Sequence, residues 1–140
     1  MPETDLPVSE YAFPGPLRDQ LVGAILSGEK TSTTSLVVGY EREGEPLPAV
    51  GDRAIVIDSA GESVCIEEIT EVRVVRLADV DLDHAVAEGE GFTTVADWRA
   101  GHEEFWRSPE FREEMGNASF TVDDDTQTVL VRFRTEPLTS

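Results

Sequence analysis

The sequence predicts a single α+β domain in which five or six strands curl into a small barrel flanked by three to four helices. Three observations carry that expectation. Apolar residues recur at helical spacing after Pro16 and again after Thr94, runs of β-branched residues alternate with turn residues between 31 and 77, and an alternating apolar run closes the chain at 128–134. A chain of 140 residues holds one domain. At that size roughly 68–70% of the unfolded surface is buried on folding, which suffices for a core without metal or disulfide staples.

Residues 1–15 contain Pro2, Pro7, Pro14 and Gly15 and keep no period, so they read as an irregular lead-in to a domain spanning 16–136. Leu17, Leu21, Val22, Ile25 and Leu26 then mark an amphipathic helix of about three turns, opened by Pro16 and stopped by Gly28. The hydroxyl-rich stretch from Thr31 to Ser35 continues into Leu36, Val37 and Val38 as a strand, and residues 39–52 read as a loop. Three strands follow at 54–58, 64–69 and 72–77, the first two joined by a turn at Ser59-Ala60-Gly61-Glu62. A helix capped by Asp81 or Asp83 runs to Ala87, where Glu88-Gly89-Glu90-Gly91 ends it. Thr94, with Asp97 three residues on, caps the next helix, and Ser108-Pro109 caps a short one ending at Gly116. Asp123-Asp124-Asp125 is a solvated turn before the last strand.

Charge removes several function classes. The formal net charge is −18, from 29 acidic and 11 basic residues, so the chain lacks the basic surplus that neutralises phosphates on a duplex. A small pocket lined by a few cations is still compatible with this balance. No apolar run approaches the ~20 residues of a membrane span, and the polar start has no signal-peptide core. One cysteine, Cys65, cannot pair within the chain, which fits a reducing, cytoplasmic setting. Neither a phosphate loop nor a dinucleotide fingerprint is present, so no cofactor is expected. His84 with Glu88, or His102 with Glu103, can be drawn as metal ligands, but among so many carboxylates such pairs arise by chance, and no metal is expected.

Lys30 is the only lysine in a chain that otherwise uses arginine for positive charge. An amine can lose a proton near neutral pH where burial or a neighbouring cation assists, which arginine cannot do. Ser32 and Thr33 supply hydroxyls beside it, and Glu90, held between two glycines, supplies an acid. In a regular strand residues 30 and 33 point to opposite faces, so the group works only if Lys30 lies in the turn before the strand or a bulge intervenes. Trp98, His102, Phe105 and Trp106 share one helix face; this is either core packing or, at Trp106 or Phe105, a surface on which a base stacks.

Four segments appear in order: Gly28-Glu29-Lys30-Thr31-x-Thr33, Val50-Gly51-Asp52, Ala87-Glu88-Gly89-Glu90-Gly91 and Trp98-Arg99-x-x-His102-x-x-Phe105-Trp106. Together they resemble the ASCH domain family, from about Leu17 to Arg134. The resemblance implies a PUA-like β-barrel and an RNA- or nucleotide-related role. Small bacterial members of that family are N4-acetylcytidine amidohydrolases using a lysine, a threonine and a glutamate, which fall by motif on Lys30, Thr33 and Glu90. This chain is longer than those enzymes and looks closer to a longer subgroup with the Trp-Arg-x-x-His-x-x-Phe segment. The expected function is hydrolysis of an amide or acyl-modified nucleoside, with Lys30, Thr33 and Glu90 catalytic and Ser32, Glu88 and Trp106 contacting substrate. The alternative is an RNA- or nucleotide-binding module without that activity. Partners are a small nucleoside or RNA, with neither duplex DNA nor membrane, and Lys30→Ala is expected to abolish turnover with little change in melting.

Overall fold

The computed structural model describes residues 6–138. Its first strand, β1 (Val8–Ser9), lies within the lead-in and pairs in parallel with β3 (Arg53–Ile57). Helix α1 (Pro16–Ser27) starts on Pro16 and stops at Gly28, whose φ of 86° is the left-handed conformation glycine adopts without strain. The buried stripe of α1 is Arg18, Leu21, Val22 and Ile25, whereas Leu17 and Leu26 are exposed. Arg18 takes an inward place because its guanidinium donates to the carbonyl oxygens of Tyr11 and Ala12, and Glu10 neutralises it.

Strand β2 (Ser32–Leu36) ends earlier than its β-branched sequence suggests, and the expected loop opens with a helix, α2 (Val37–Glu43). Val37 and Tyr40, three residues apart, pack on the core beneath them, and Gly44 closes the helix at φ 67°. Packing on that face overrides the strand preference of Val37 and Val38.

Strands 64–69 and 72–77 are one strand, β4 (Ser63–Arg76), whose pairing with β5 (Gln127–Glu136) shifts register between Ile69 and Glu71. This bulge bends β4 without interrupting it. The sheet order is β1-β3-β4-β5-β2, with every pairing after the first antiparallel. The sheet does not close: β1 and β2 remain edges, and a two-residue β1 is too short to complete a barrel.

Helices α3 (Leu82–Ala87), α4 (Val95–Trp106) and α5 (Pro109–Met115) begin at the expected caps, Asp81, Thr94 and Ser108. The described residues therefore carry five helices, α2 being the unexpected one. Alternation along β5 sends Val129, Val131 and Phe133 toward α1, while Leu130 joins Leu36, Trp98 and Trp106 on the opposite side. Two apolar clusters sandwich the sheet, and no helix among the described residues is long and apolar enough to cross a membrane.

Candidate functional site

The junctions α1–β2 and α3–α4 are pinned to each other. Thr31 N–H donates to the Ala87 carbonyl at 2.7 Å, and Gly89 passes so close that a Cβ there would lie 2.5 Å from the Glu29 carbonyl oxygen. Gly89 also has a φ of +70°. Gly89→Ala is expected to cost about 2–3 kcal/mol, from strain plus steric overlap, and thermal denaturation at neutral pH checks this.

This contact places Lys30 in the turn before β2, so strand alternation does not separate it from Thr33. Lys30 is 2% exposed. Its Nζ donates to the Ser32 carbonyl at 2.8 Å and the Glu88 carbonyl at 3.3 Å, and lies 3.6 Å from Glu88 Oε1 and 4.0 Å from Glu90 Oε2. Two of its donor positions are thus spent on main chain, and a third faces the carboxylates. Thr33 is half-buried and makes no side-chain hydrogen bond among the described residues. Lys30, Thr33, Glu88 and Glu90 all line one cleft of about 1060 Å³ between the sheet, α2 and α4.

Glu88 is the hub of this site. It is 1% exposed and takes hydrogen bonds from Trp98 Nε1 at 2.6 Å and Thr34 Oγ1 at 2.7 Å on one oxygen, with His102 Nε2 at 3.1 Å on the other. His102 reaches it from α4 because Nδ1 bonds to the Trp98 carbonyl and the ring stacks on Trp98 with centroids 4.2 Å apart. Both nitrogens of His102 face acceptors, so both carry protons in this arrangement. Thr34 Oγ1 also meets His84 Nε2 at 2.7 Å, and His84 Nδ1 has no partner. His84 Nε2 also lies 3.4 Å from Glu88 Oε2, so with the Thr34 proton given to Glu88 the imidazole N–H at Nε2 is shared between Thr34 and Glu88.

Burial would push the Glu88 carboxyl up; hydrogen bonds from His102 and His84 and the charges of His102 and Lys30 outweigh it and hold it well below the ordinary value of 4.5. Burial likewise opposes the charged form of His102, but the Glu88 carboxylate overrides it and raises the imidazole. Glu90 is raised, chiefly by burial, with Lys30 opposing and the Glu88 charge reinforcing. The stability Glu88 contributes is present above pH 4.5 and lost as pH falls through its lower folded value. That of His102 is complete below pH 6.5 and lost as pH rises through its higher folded value. Glu90 makes the acid limb shallower, because its own contribution is fullest at low pH. Melting measured from pH 3 to 9 is expected to peak in the mildly acidic window between the two, and His102→Gln is expected to flatten the alkaline limb.

Of the other expected substrate contacts, Ser32 is turned away: it is fully buried, gives its hydroxyl to the His84 carbonyl and does not line the cleft. Trp106 lines the cleft wall but is 3% exposed and belongs to the core beside His102; Phe105 is the more open aromatic there. Thr34 was not marked by the sequence as a member of this cluster; of the two histidine pairs drawn there, His84 does approach Glu88, at 3.4 Å, whereas His102 meets Glu88 rather than Glu103. Glu88, Glu90 and His102 offer ligand atoms within 4.8 Å of one another, the scale of a metal site, with Lys30 supplying positive charge at the same place.

The ASCH domain model matches residues 9–136. The chain belongs to the ASCH domain family. Its fold is similar to that of an ASCH domain from Lactobacillus crispatus, at 30% identity and a TM-score of 0.80 over 94% of this chain and 80% of that one. A protein from Enterococcus faecalis is similar at 26% identity, TM-score 0.80, over 94% and 77%. No curated protein matches the sequence. In this ASCH domain each of the four segments that carried the resemblance contributes to the cleft wall: Lys30 and Thr33, Asp52, Glu88 and Glu90, and His102 with Phe105 and Trp106.

Proposed function

We propose that the cleft hydrolyses an acyl-modified nucleoside of the N4-acetylcytidine type, releasing cytidine and acetate. The observation that carries this reading is the approach of a buried primary amine to within 4.0 Å of Glu90 in a cleft that also presents Thr33. ASCH family membership supports a nucleotide- or RNA-related role as the broader frame. In the proposed reaction the unprotonated Lys30 amine takes the proton of Thr33, or of a water that Thr33 holds, for attack on the N4-acyl carbonyl. Two of its donor positions stay anchored on carbonyl oxygens, which leaves the third, on the side of Glu88 and Glu90, for the proton transfer. Collapse of the tetrahedral intermediate breaks the C–N bond, and Glu90, shifted toward its protonated form by burial, protonates the leaving amine. Where Thr33 is the nucleophile, a water then cleaves the acetyl-Thr33 ester to release acetate, and the proton taken by Lys30 returns to Glu90. Glu88 stays ionised and positions Lys30 rather than exchanging protons.

Acidic residues outnumber lysine and arginine along the cleft, which favours a free nucleoside over an RNA strand. Purified protein incubated with N4-acetylcytidine is expected to release cytidine, read by chromatography; absence of release would sink the hydrolase reading. Short single-stranded RNA in a gel-shift titration at physiological salt is expected to bind more weakly than micromolar, and tighter binding would favour the RNA-binding alternative.

A further inference from the structure

Among the described residues, the buried acids of the cleft are Glu88 and Glu67, and Glu67 belongs to none of this machinery. Glu67 sits in the middle of β4, paired on both sides by β3 and β5, between Cys65 and Ile69 on the face that packs toward α1. That alternation reserves the position for an apolar residue, yet it holds a carboxylate that is 8% exposed. Among the described residues Glu67 makes no ion pair, and its one side-chain hydrogen bond comes from the Tyr11 hydroxyl onto Oε2. Arg18, which also lines the cleft, is engaged by the Tyr11 and Ala12 carbonyls and Glu10. A buried carboxylate without a cation is costly, and a half-satisfied one facing a cleft is what a recognition site leaves for a ligand to complete.

Its surroundings fix where that ligand would lie. Glu67, Tyr11 and Lys30 line the same cleft, and the Lys30 ammonium position is 5.8 Å from the centre of the Tyr11 ring. Tyr11 therefore stands between the Lys30–Glu90 end and the Glu67 end, its hydroxyl turned toward Glu67. Burial, followed by the Glu67 charge, raises the Tyr11 phenol well above its ordinary value, so it remains a donor. With Tyr11 on Oε2, Oε1 is left to accept from outside the protein.

We infer that Glu67, with Tyr11 orienting it, is a specificity residue that accepts a hydrogen bond from an N–H or O–H donor of a nucleoside bound in the cleft. This rests on the nucleoside reading above but not on hydrolysis. Two sources of the donor share this chemistry, the 2′- and 3′-hydroxyls of the ribose and the exocyclic amine of the base. The test is calorimetric binding of cytidine, 2′,3′-dideoxycytidine and N4,N4-dimethylcytidine to wild-type protein and to Glu67→Gln.

Cytidine is expected to bind Glu67→Gln about ten-fold more weakly than wild type, the scale of a hydrogen bond to a charged acceptor. One of the two altered ligands is expected to bind wild type about ten-fold worse than cytidine and to lose most of that deficit in the variant. Which ligand does so assigns the donor to sugar or base. Should Glu67→Gln fail to fold, the three ligands on wild type decide the matter alone. Equal affinity for all three, equal cytidine affinity in both proteins, or no binding of cytidine overturns the assignment. Cytidine binding that depends on Glu67, without turnover of N4-acetylcytidine, removes the hydrolase reading and leaves this one standing.

Discussion

Replacing Glu88 with alanine is expected to lower the melting temperature by roughly 10–15 °C, the equivalent of about 3–5 kcal/mol. The magnitude follows from what the carboxylate satisfies. Its removal strands the Trp98 indole N–H, the Thr34 hydroxyl, an imidazole N–H of His102 and one side of the Lys30 ammonium, all in a region where Glu88 itself is 1% exposed. Glu88→Gln keeps the volume but offers one acceptor oxygen and an amide donor to a ring of donors, so it is expected to lose most of the same stability. Calorimetric or circular-dichroism melting near pH 6 measures this. A drop of less than about 3 °C for the alanine variant would show that the network is worth far less than its burial implies.

Lys30→Ala is the second large effect. Turnover of N4-acetylcytidine is expected to fall by about 10²–10⁴-fold, the usual worth of a positioned general base. Stability is expected to fall too, by roughly 2–4 kcal/mol, because the 2%-exposed ammonium position offsets the charge of buried Glu88. This replaces the sequence-based expectation of little change in melting, which did not include the buried Glu88 charge that Lys30 offsets. Lys30→Arg separates the roles: arginine keeps the positive charge but does not lose its proton. Activity surviving in Lys30→Arg would reassign Lys30 from base to electrostatic stabiliser.

Legibility in the sequence followed local chemistry. α1, α4 and α5 announced themselves through Pro16, Thr94 and Ser108-Pro109 at their starts and through Gly28 and Gly116 at two of their ends, because caps act within four residues. α2 escaped because Val37-Val38 reads as strand, and only the core beneath Val37 and Tyr40 makes it a helix. The bulge in β4 was read as a break since nothing local distinguishes an extra residue from a turn. Barrel closure depends on whether edges meet, which no single strand encodes.

Within the site, Lys30, Thr33 and Glu90 were visible as rare or oddly placed residues, and they reach one cleft. The role of Glu88 was not legible, because its partners Thr34, Trp98 and His102 are brought to it by tertiary packing. Glu67 did leave a trace: an acid at the position where Cys65 and Ile69 set an apolar alternation.

The pin between Gly89 and the Glu29–Lys30 backbone also bears on the order in which the chain acquires structure. The β3–β4 hairpin and α1 need only short-range closure and can form early, whereas the amine and its acids meet across 58 positions of chain. Until that late closure, Glu88 stays hydrated and carries no burial penalty. The β2–β5 pairing, whose partners Ser32 and Arg132 are farther apart in the chain still, belongs to the same late stage, so the charged knot loses its water together with the closing of the far edge of the sheet.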